Sequence, residues 1–395
     1  MKIVSAEVYC MCPEPRAAGE GWHPTFLRLH TDEGINGLGE IGFAYGTGAQ
    51  GGIGMLRDML AAHVLGADPM RIETMWDRLF RRTFWGQGGG PVVYGAMSAI
   101  DMALWDIKGQ ALEAPVYELL GGCTNDTIRV YANGWYSVRG PEGRRSCNRP
   151  EEYAEAAQQV VADGYDALKF DPFAVTPDGR WLYTRRLLSR ELADLAFGRV
   201  KAVREAVGPE VDILIEVHGN LGVRSAIEMG CRFVELDPFF YEEPVDALNV
   251  DAMKKVSENM PLPIAAGERL YTRYGFRQYI EKQALDILQP DMGLAGGISE
   301  VKKIATYAEV YNLHVQPHNC GGPISTAAAM QLDACISNFC IQELFPYHTD
   351  GTHELVTEPI EKQIVGSRYQ IGEKPGLGVE LDEERCKPFL AYRVE

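Results

Sequence analysis

FFYEEPVDALNVDAMKKVSENMPLPIAAGE, residues 239–268, is the stretch that decides the fold. A short apolar run ends in a carboxylate, Glu242. An amphipathic helical segment, VDAMKKVSENM, follows, and a second β-rich run ends in Glu268. A strand, a helix and a strand in so short a span make one parallel crossover unit, which is right-handed when both strands lie in one sheet. The same unit recurs on either side: RVYANG, DALKF and DILIEV lie upstream, and DILQPD, HVQPH and FCIQE downstream. Eight β-rich runs separated by helical segments such as GRVKAVREAV and GISEVKKIATYAEVY favour a closed barrel over an open sheet.

The polar residues at the strand ends strengthen that expectation. Glu216, Glu242, Glu268, Asp291, His318 and Glu343 follow one another at 26, 26, 23, 27 and 25 residues, close to the roughly 30 residues per unit of an eight-unit barrel. The C-terminal strand ends of such a barrel ring one pocket, so the six converge although they are far apart in the chain. In IEVHGN (215–220), Glu216 and His218 stand two apart on a predicted strand, an arrangement that points both side chains into one space.

Upstream of the barrel, KIVSAEVYC and TFLRLHTDEG read as strands, and YGAMSAIDMALWDIKGQAL, from Tyr94 to Leu112, as a helix with Ala96, Ile100, Ala103, Leu104 and Ile107 on one face. GQGGGP (86–91) lacks the Lys-Ser/Thr and the preceding strand of a phosphate loop. The expected boundaries are an α+β domain over 1–128, a barrel over 129–367 and a C-terminal return over 368–395.

Composition excludes several function classes. With 38 Lys+Arg against 55 Asp+Glu the formal charge is −17, which repels nucleic acid and anionic membrane. No run approaches the ~18 apolar residues of a membrane span, and MKIVSAEVYC lacks the apolar core of a secretion signal, so a cytoplasmic protein is expected. The nine cysteines include no CxxC pair, which argues against a zinc framework or a disulfide scaffold. Cys320 is expected to be structural.

Three carboxylates on successive strand ends, Glu216, Glu242 and Glu268, repel one another in a partly dry pocket unless a cation sits between them. Oxygen-only ligands indicate a hard ion, best Mg²⁺, with Mn²⁺ as the alternative. Asp291 and His318 occupy the next two strand ends, where the aspartate can hold the imidazole in one tautomer as a general base. Glu343 closes the ring. It either donates to a developing oxyanion, if protonated, or orients substrate, if ionised. His218 faces from the other side as a candidate general acid, and Lys169, in DALKF, as a partner for a substrate carboxylate beside the metal.

These residues carry a resemblance to the enolase superfamily, and within it to the mandelate racemase group. Its elements are SAIDMALWDIKGQ with the ELLGG that follows, EEP at Glu242, GER at Glu268, QPD and GGISE around Asp291, and PH at His318. The resemblance spans nearly the whole chain. It implies a (β/α)7β TIM-like barrel capped by an N-terminal α+β domain to which the C-terminal tail returns. It also implies Mg²⁺ on Glu216, Glu242 and Glu268, an Asp291–His318 base and a homo-oligomer. Many members carry Lys-x-Lys on the second strand; here the second lysine is replaced by Asp171, which argues against a two-base racemase of the usual pattern. The carboxylate-x-His of Glu216 and His218 resembles the acid-sugar dehydratases, D-galactonate dehydratase among them, in which the histidine protonates the departing hydroxyl.

The expected activity is therefore a hydro-lyase that converts a small anionic sugar acid to a 2-keto-3-deoxy acid. An epimerase or cycloisomerase on the same scaffold is the alternative, if Asp171 or Tyr183 serves as a second base. The inserts WYSVRGPEGRRSCNRPEE and FAVTPDGRWLYTRR are expected on the active-site face, offering Arg, Tyr and Trp to a polyol chain or making subunit contacts, and the segment PEPRAAGEGWH (13–23) is expected to supply part of the substrate contacts.

Overall fold

A computed structural model of the chain describes residues 1–11, 22–140, 143–182, 187–347 and 351–395, without the side chains of 138–145. Three antiparallel strands, β1 (Ile3–Cys10), β2 (Thr25–Thr31) and β3 (Asn36–Ile41), pack against α1 (Ala49–Met59), α2 (Ile72–Arg82) and the long α3 (Gly90–Ala111). After a short α4 (Val116–Leu119) come the eight barrel strands, with one hairpin among them. The barrel strands are β4 (Thr127–Ala132), β7 (Ala167–Phe170), β8 (Asp212–Glu216), β9 (Phe240–Glu242), β10 (Ile264–Ala266), β11 (Ile287–Leu288), β12 (His314–Val315) and β13 (Gln342–Leu344). The hairpin, β5 (Ser137–Gly140) and β6 (Gly143–Ser146), follows β4. Two strands complete the set, β14 (Arg368–Gln370) against β4 and β15 (Leu390–Val394) against β1.

Neighbouring barrel strands run parallel in chain order, β13 returns to pair with β4, and a parallel bridge of Val315 with Phe339 joins the two ends of the ladder. Among the described residues, one helix of eight or more residues follows each of the first seven strands: α5 (Pro150–Ala162), α6 (Arg190–Val207), α7 (Val223–Phe233), α8 (Val250–Ser257), α9 (Thr272–Glu281), α10 (Gly297–Glu309) and α11 (Pro323–Asp333). The expected barrel of eight strands and seven helices is present, with a separate antiparallel sheet ahead of it. No helix of the described residues is long and apolar enough to cross a membrane.

Two layers inside the barrel explain how apolar strands deliver polar chemistry. Tyr131, Ala167, Leu214, Phe240, Ala265, Ile287 and Ile341, one from each of seven strand segments, form a buried apolar plug. Side chains alternate along a strand, so the residues two positions on share that inward face one layer higher. They are Asn133, Lys169, Glu216, Glu242, Gly267, Gln289 and Glu343. The apolar layer excludes water from below, and the polar layer forms the pocket floor. Gly267 has φ +159°, and a Cβ there would meet the Gln289 backbone at 2.6 Å, so only glycine lets β10 turn Glu268 upward.

His218 reaches the pocket by a route other than strand alternation. β8 stops at Glu216, and His218 has φ +54°, a left-handed turn conformation. Glu216 Oε1 accepts from the N–H groups of Val217 and His218, which fixes that turn.

The motifs behind the family resemblance mostly join the two parts of the molecule. Asp101 on α3 accepts from Ser299 N at 2.9 Å, Ser98 Oγ accepts from Gly296 N at 2.9 Å, and Trp105 Nε1 donates to Ser299 Oγ at 2.8 Å. Asp106 accepts from Leu38 N and Leu377 N, each at 2.9 Å. SAIDMALWDIKGQ and GGISE are thus two halves of one buried joint.

The C-terminal strand is held at Glu7 on β1, whose carboxylate meets Arg393 of β15, Tyr9 Oη at 2.8 Å and His30 Nε2 at 3.1 Å. Burial pushes the carboxyl up, but the hydrogen bonds from Arg393, Tyr9 and His30 outweigh it and hold Glu7 at about 2. Because the folded value lies below the unfolded one, this contribution is present above about pH 4.5 and is lost as pH falls toward 2. Screening at the half-exposed Arg393 limits it to about 1–3 kcal/mol. The melting temperatures of the parent and Glu7→Gln should differ at pH 6, and the gap should narrow below about pH 4.5 and close only toward pH 2; a gap constant from pH 6 to pH 3 would contradict the assignment.

Candidate active site

At the C-terminal strand ends the structure brings the eight expected residues into one connected cluster. Lys169 Nζ lies 2.8 and 2.9 Å from the two Glu242 oxygens, 2.9 Å from Glu343 Oε1 and 3.5 Å from Glu216 Oε2. It is 2% exposed, so these ionic contacts are made away from bulk water. Burial disfavours the ammonium, but Glu242, Glu343 and Glu216 hold its pKa well above the usual lysine range. Trp135 Nε1 donates to the Lys169 carbonyl at 2.9 Å and helps place the strand end.

Against the upward push of burial, Lys169, His318 and the Asn319 N–H hold the Glu343 carboxyl at about 2. Asn133 Nδ2 donates to it at 2.8 Å and Asn319 N at 3.0 Å. A lowered pKa favours the ionised form, which suits orienting substrate over donating to an oxyanion.

Two aspartate–histidine pairs face the pocket. His318 Nδ1 lies 2.7 Å from Asp291 Oδ2, and its Nε2 lies 3.0 Å from Glu268 Oε2. His218 Nδ1 lies 2.7 Å from Asp171 Oδ2. Asp171 thus supports His218 where the family often has a second lysine. Its other oxygen accepts from Phe173 N at 2.7 Å, so the carboxylate is fixed. Around the ring, Asp171 and His218 stand on strands two and three, Asp291 and His318 on strands six and seven. In an eight-strand circle that places the pairs diametrically opposite. The His318 side chain is 2% exposed, whereas that of His218 is 42% exposed. Burial lowers the pKa of both imidazoles, but neighbouring groups raise it more: Glu216 and Asp171 for His218, and Cys320, Glu268 and the Asp291 hydrogen bond for His318.

Glu216 and Glu242 are direct neighbours in the β8–β9 register, and burial followed by the Glu216 charge pushes the Glu242 carboxyl up. Glu268, expected beside them, is turned toward His318 and Arg269. Oxygen donors on three adjacent strand ends, with two carboxylates crowded together in a buried layer, suit a hard divalent cation.

The tightest group of potential ligands among the described residues is a different one, His318, Cys320 and Glu343, whose donor atoms lie within 4.8 Å of one another. Cys320, expected to be structural, therefore faces the site. Its thiol is pushed up to about 12 by burial, so it stays protonated and is a poor ligand for a hard ion.

Several site residues were missed by sequence reasoning. Asn133 could have been found at the end of RVYANG from the same two-residue period, and Asn319 directly follows the histidine of PHN. Tyr45, beside Glu268, Cys320 and His318, carries no sequence signal. Of PEPRAAGEGWH, residues 13–21 lie outside the described residues, as does Tyr183. Trp22 is described and stacks on Tyr45 at 4.9 Å and against Phe345 at 5.1 Å, forming a roof beside the pocket.

Comparisons with known proteins bear on this geometry. Residues 23–121 match the family model of the mandelate racemase / muconate lactonizing enzyme N-terminal domain, and residues 152–385 that of the enolase C-terminal domain-like region. A D-galactonate dehydratase of Variovorax paradoxus is 35% identical over 98% of this chain and 93% of its own. A D-gluconate dehydratase of Thermoproteus tenax is 36% identical over 84% of this chain; the match spans 63% of that relative's length. The solved structure of an enolase-superfamily member from Salmonella Typhimurium is 41% identical with a TM-score of 0.93, covering the whole of both chains.

Proposed function

This chain belongs to the mandelate racemase / muconate lactonizing enzyme family of the enolase superfamily, and on that premise we propose that it is a Mg²⁺-dependent dehydratase of sugar acids. It would convert an aldonate or related acid to a 2-keto-3-deoxy acid and water. The observation that carries the reading is the pair of opposed dyads, Asp291–His318 and Asp171–His218, above one floor of carboxylates and a lysine. Two of the relatives are named as dehydratases of sugar acids, which supports the same class.

Glu216, Glu242 and Glu268 would hold the metal, with Mn²⁺ able to substitute. When bound, it polarises the substrate carboxylate and acidifies the adjacent C–H. His318, with Asp291 fixing the proton on Nδ1, takes the α-proton at Nε2. Glu268 lies 3.0 Å from that nitrogen, so proton uptake requires this carboxylate to be engaged elsewhere. The Lys169 ammonium, held in place by Glu242 and Glu343, offsets the negative charge that builds on the substrate carboxylate. His218, oriented by Asp171, gives its proton to the β-hydroxyl as the C–O bond breaks. The resulting enol becomes the keto acid.

The opposed histidines also suit an epimerase, in which His218 would return a proton to the opposite face of the α-carbon. Product chemistry separates the two. Incubation with Mg²⁺ and a stereochemically complete library of C4 to C6 aldonic and aldaric acids should yield a keto acid detectable with semicarbazide. Optical rotation that changes without keto acid would assign epimerisation instead.

A further inference from the structure

The Asp291–His318 dyad is assembled from two separate loops, one after β11 and one after β12, so its 2.7 Å contact depends on what holds those loops together. The end of β3, in the N-terminal domain, touches both. Glu40 is fully buried and sends its carboxylate to the first turn of α11, where Gly322 N and Ser325 N donate to its two oxygens, the latter at 2.9 Å. Gly322 lies four residues after His318. Two positions beyond Glu40, Gly42 N donates to Gly293 O at 3.0 Å, and Gly293 N in turn donates to Asp291 Oδ1 at 2.7 Å. The fit is close on both sides: a Cβ on Gly42 would stand 2.9 Å from Asp291 Oδ1, and one on Gly322 would stand 3.0 Å from Glu40 Oε1.

We infer that Glu40 is a positioning residue of the reaction: through the first turn of α11 it sets His318 against Asp291, so docking of the N-terminal domain assembles the base. A carboxyl group suits this place because a helix start offers unpaired N–H groups to its oxygens. Two carboxylate oxygens grip two points of the loop at once. A glutamine would turn a donor toward one of those N–H groups. Burial, and to a lesser degree the Asp291 charge, push the Glu40 carboxyl up to about 8 against the two N–H donors, so the position is not one that packing alone would fill with a carboxyl group.

The inference rests on the dehydratase reading for its kinetics, and a substrate-free measurement keeps the two separable. Glu40→Gln, checked for folding by thermal melting, should lower kcat for dehydration about 10–100-fold, with KM within about 3-fold, since no substrate contact is removed. Exchange of the α-hydrogen with D2O should fall in the same proportion. In the resting protein, the downfield proton resonance of His318 Nδ1–H, assigned by its loss in His318→Asn, should shift or broaden. Gly322→Ala, which disturbs the same contact from the barrel side, should give the same pattern if Glu40→Gln fails to fold. Parent kcat with an unmoved resonance would overturn the inference, as would a kcat loss that leaves the resonance in place. If no sugar acid is dehydrated at all, the dehydratase reading fails while the resonance still tests Glu40.

Discussion

Glu242→Gln is expected to abolish measurable turnover, a loss on the order of 10³-fold or more, while the protein stays folded. Glu242 is fully buried between Lys169 and Glu216, at the centre of the carboxylate layer. Glutamine keeps its shape but removes a negative charge and one oxygen donor, so the proposed cation loses a ligand and Lys169 loses half of a two-oxygen contact. Ion binding to the native state raises stability by RT ln(1 + L/Kd), where L is the free ion concentration. Mg²⁺ should therefore raise the melting temperature of the parent and leave Glu242→Gln nearly unchanged. Chelated parent enzyme should be inactive and recover with Mg²⁺ or Mn²⁺. Full turnover by exhaustively chelated protein would remove the metal from the account.

His318→Asn should lose both dehydration and α-hydrogen exchange, by about 10²–10⁴-fold each. The buried ring has one nitrogen on Asp291 and the other facing the site. Asparagine can keep a hydrogen bond to Asp291 but cannot take a proton. The other histidine of the site, His218, belongs to the opposite side of the ring, and His314 lies at the start of β12, away from the C-terminal strand ends. Exchange that survives in His318→Asn would move the base to another group.

The barrel was legible in the sequence because its repeat is physical. Each parallel strand needs a crossover helix, and the chain leaving each strand's C-terminal end passes the same site, so Glu216, Glu242, Glu268, Asp291, His318 and Glu343 recur at nearly one spacing. Conformations that break the period were not legible. His218 lies past the end of its strand in a left-handed turn, so alternation led to the right space for the wrong reason. Spacing also says nothing of direction: Glu268 falls on schedule, yet its carboxylate lies against His318 rather than beside Glu242. Asp171 read as a missing lysine, because its partner, His218, lies 47 residues away. Glu40 sits in an ordinary strand of the other domain, and its partner, the first turn of α11, is set only by how the two domains dock.

The central claim is that His318 removes the α-proton and that the opposed His218 serves the departing hydroxyl. His218→Asn incubated with a turned-over sugar acid in D2O tests it most directly. The account predicts deuterium at the α-carbon of recovered substrate, with keto-acid formation reduced about 10²–10⁴-fold. Keto acid formed at the parent rate would contradict it.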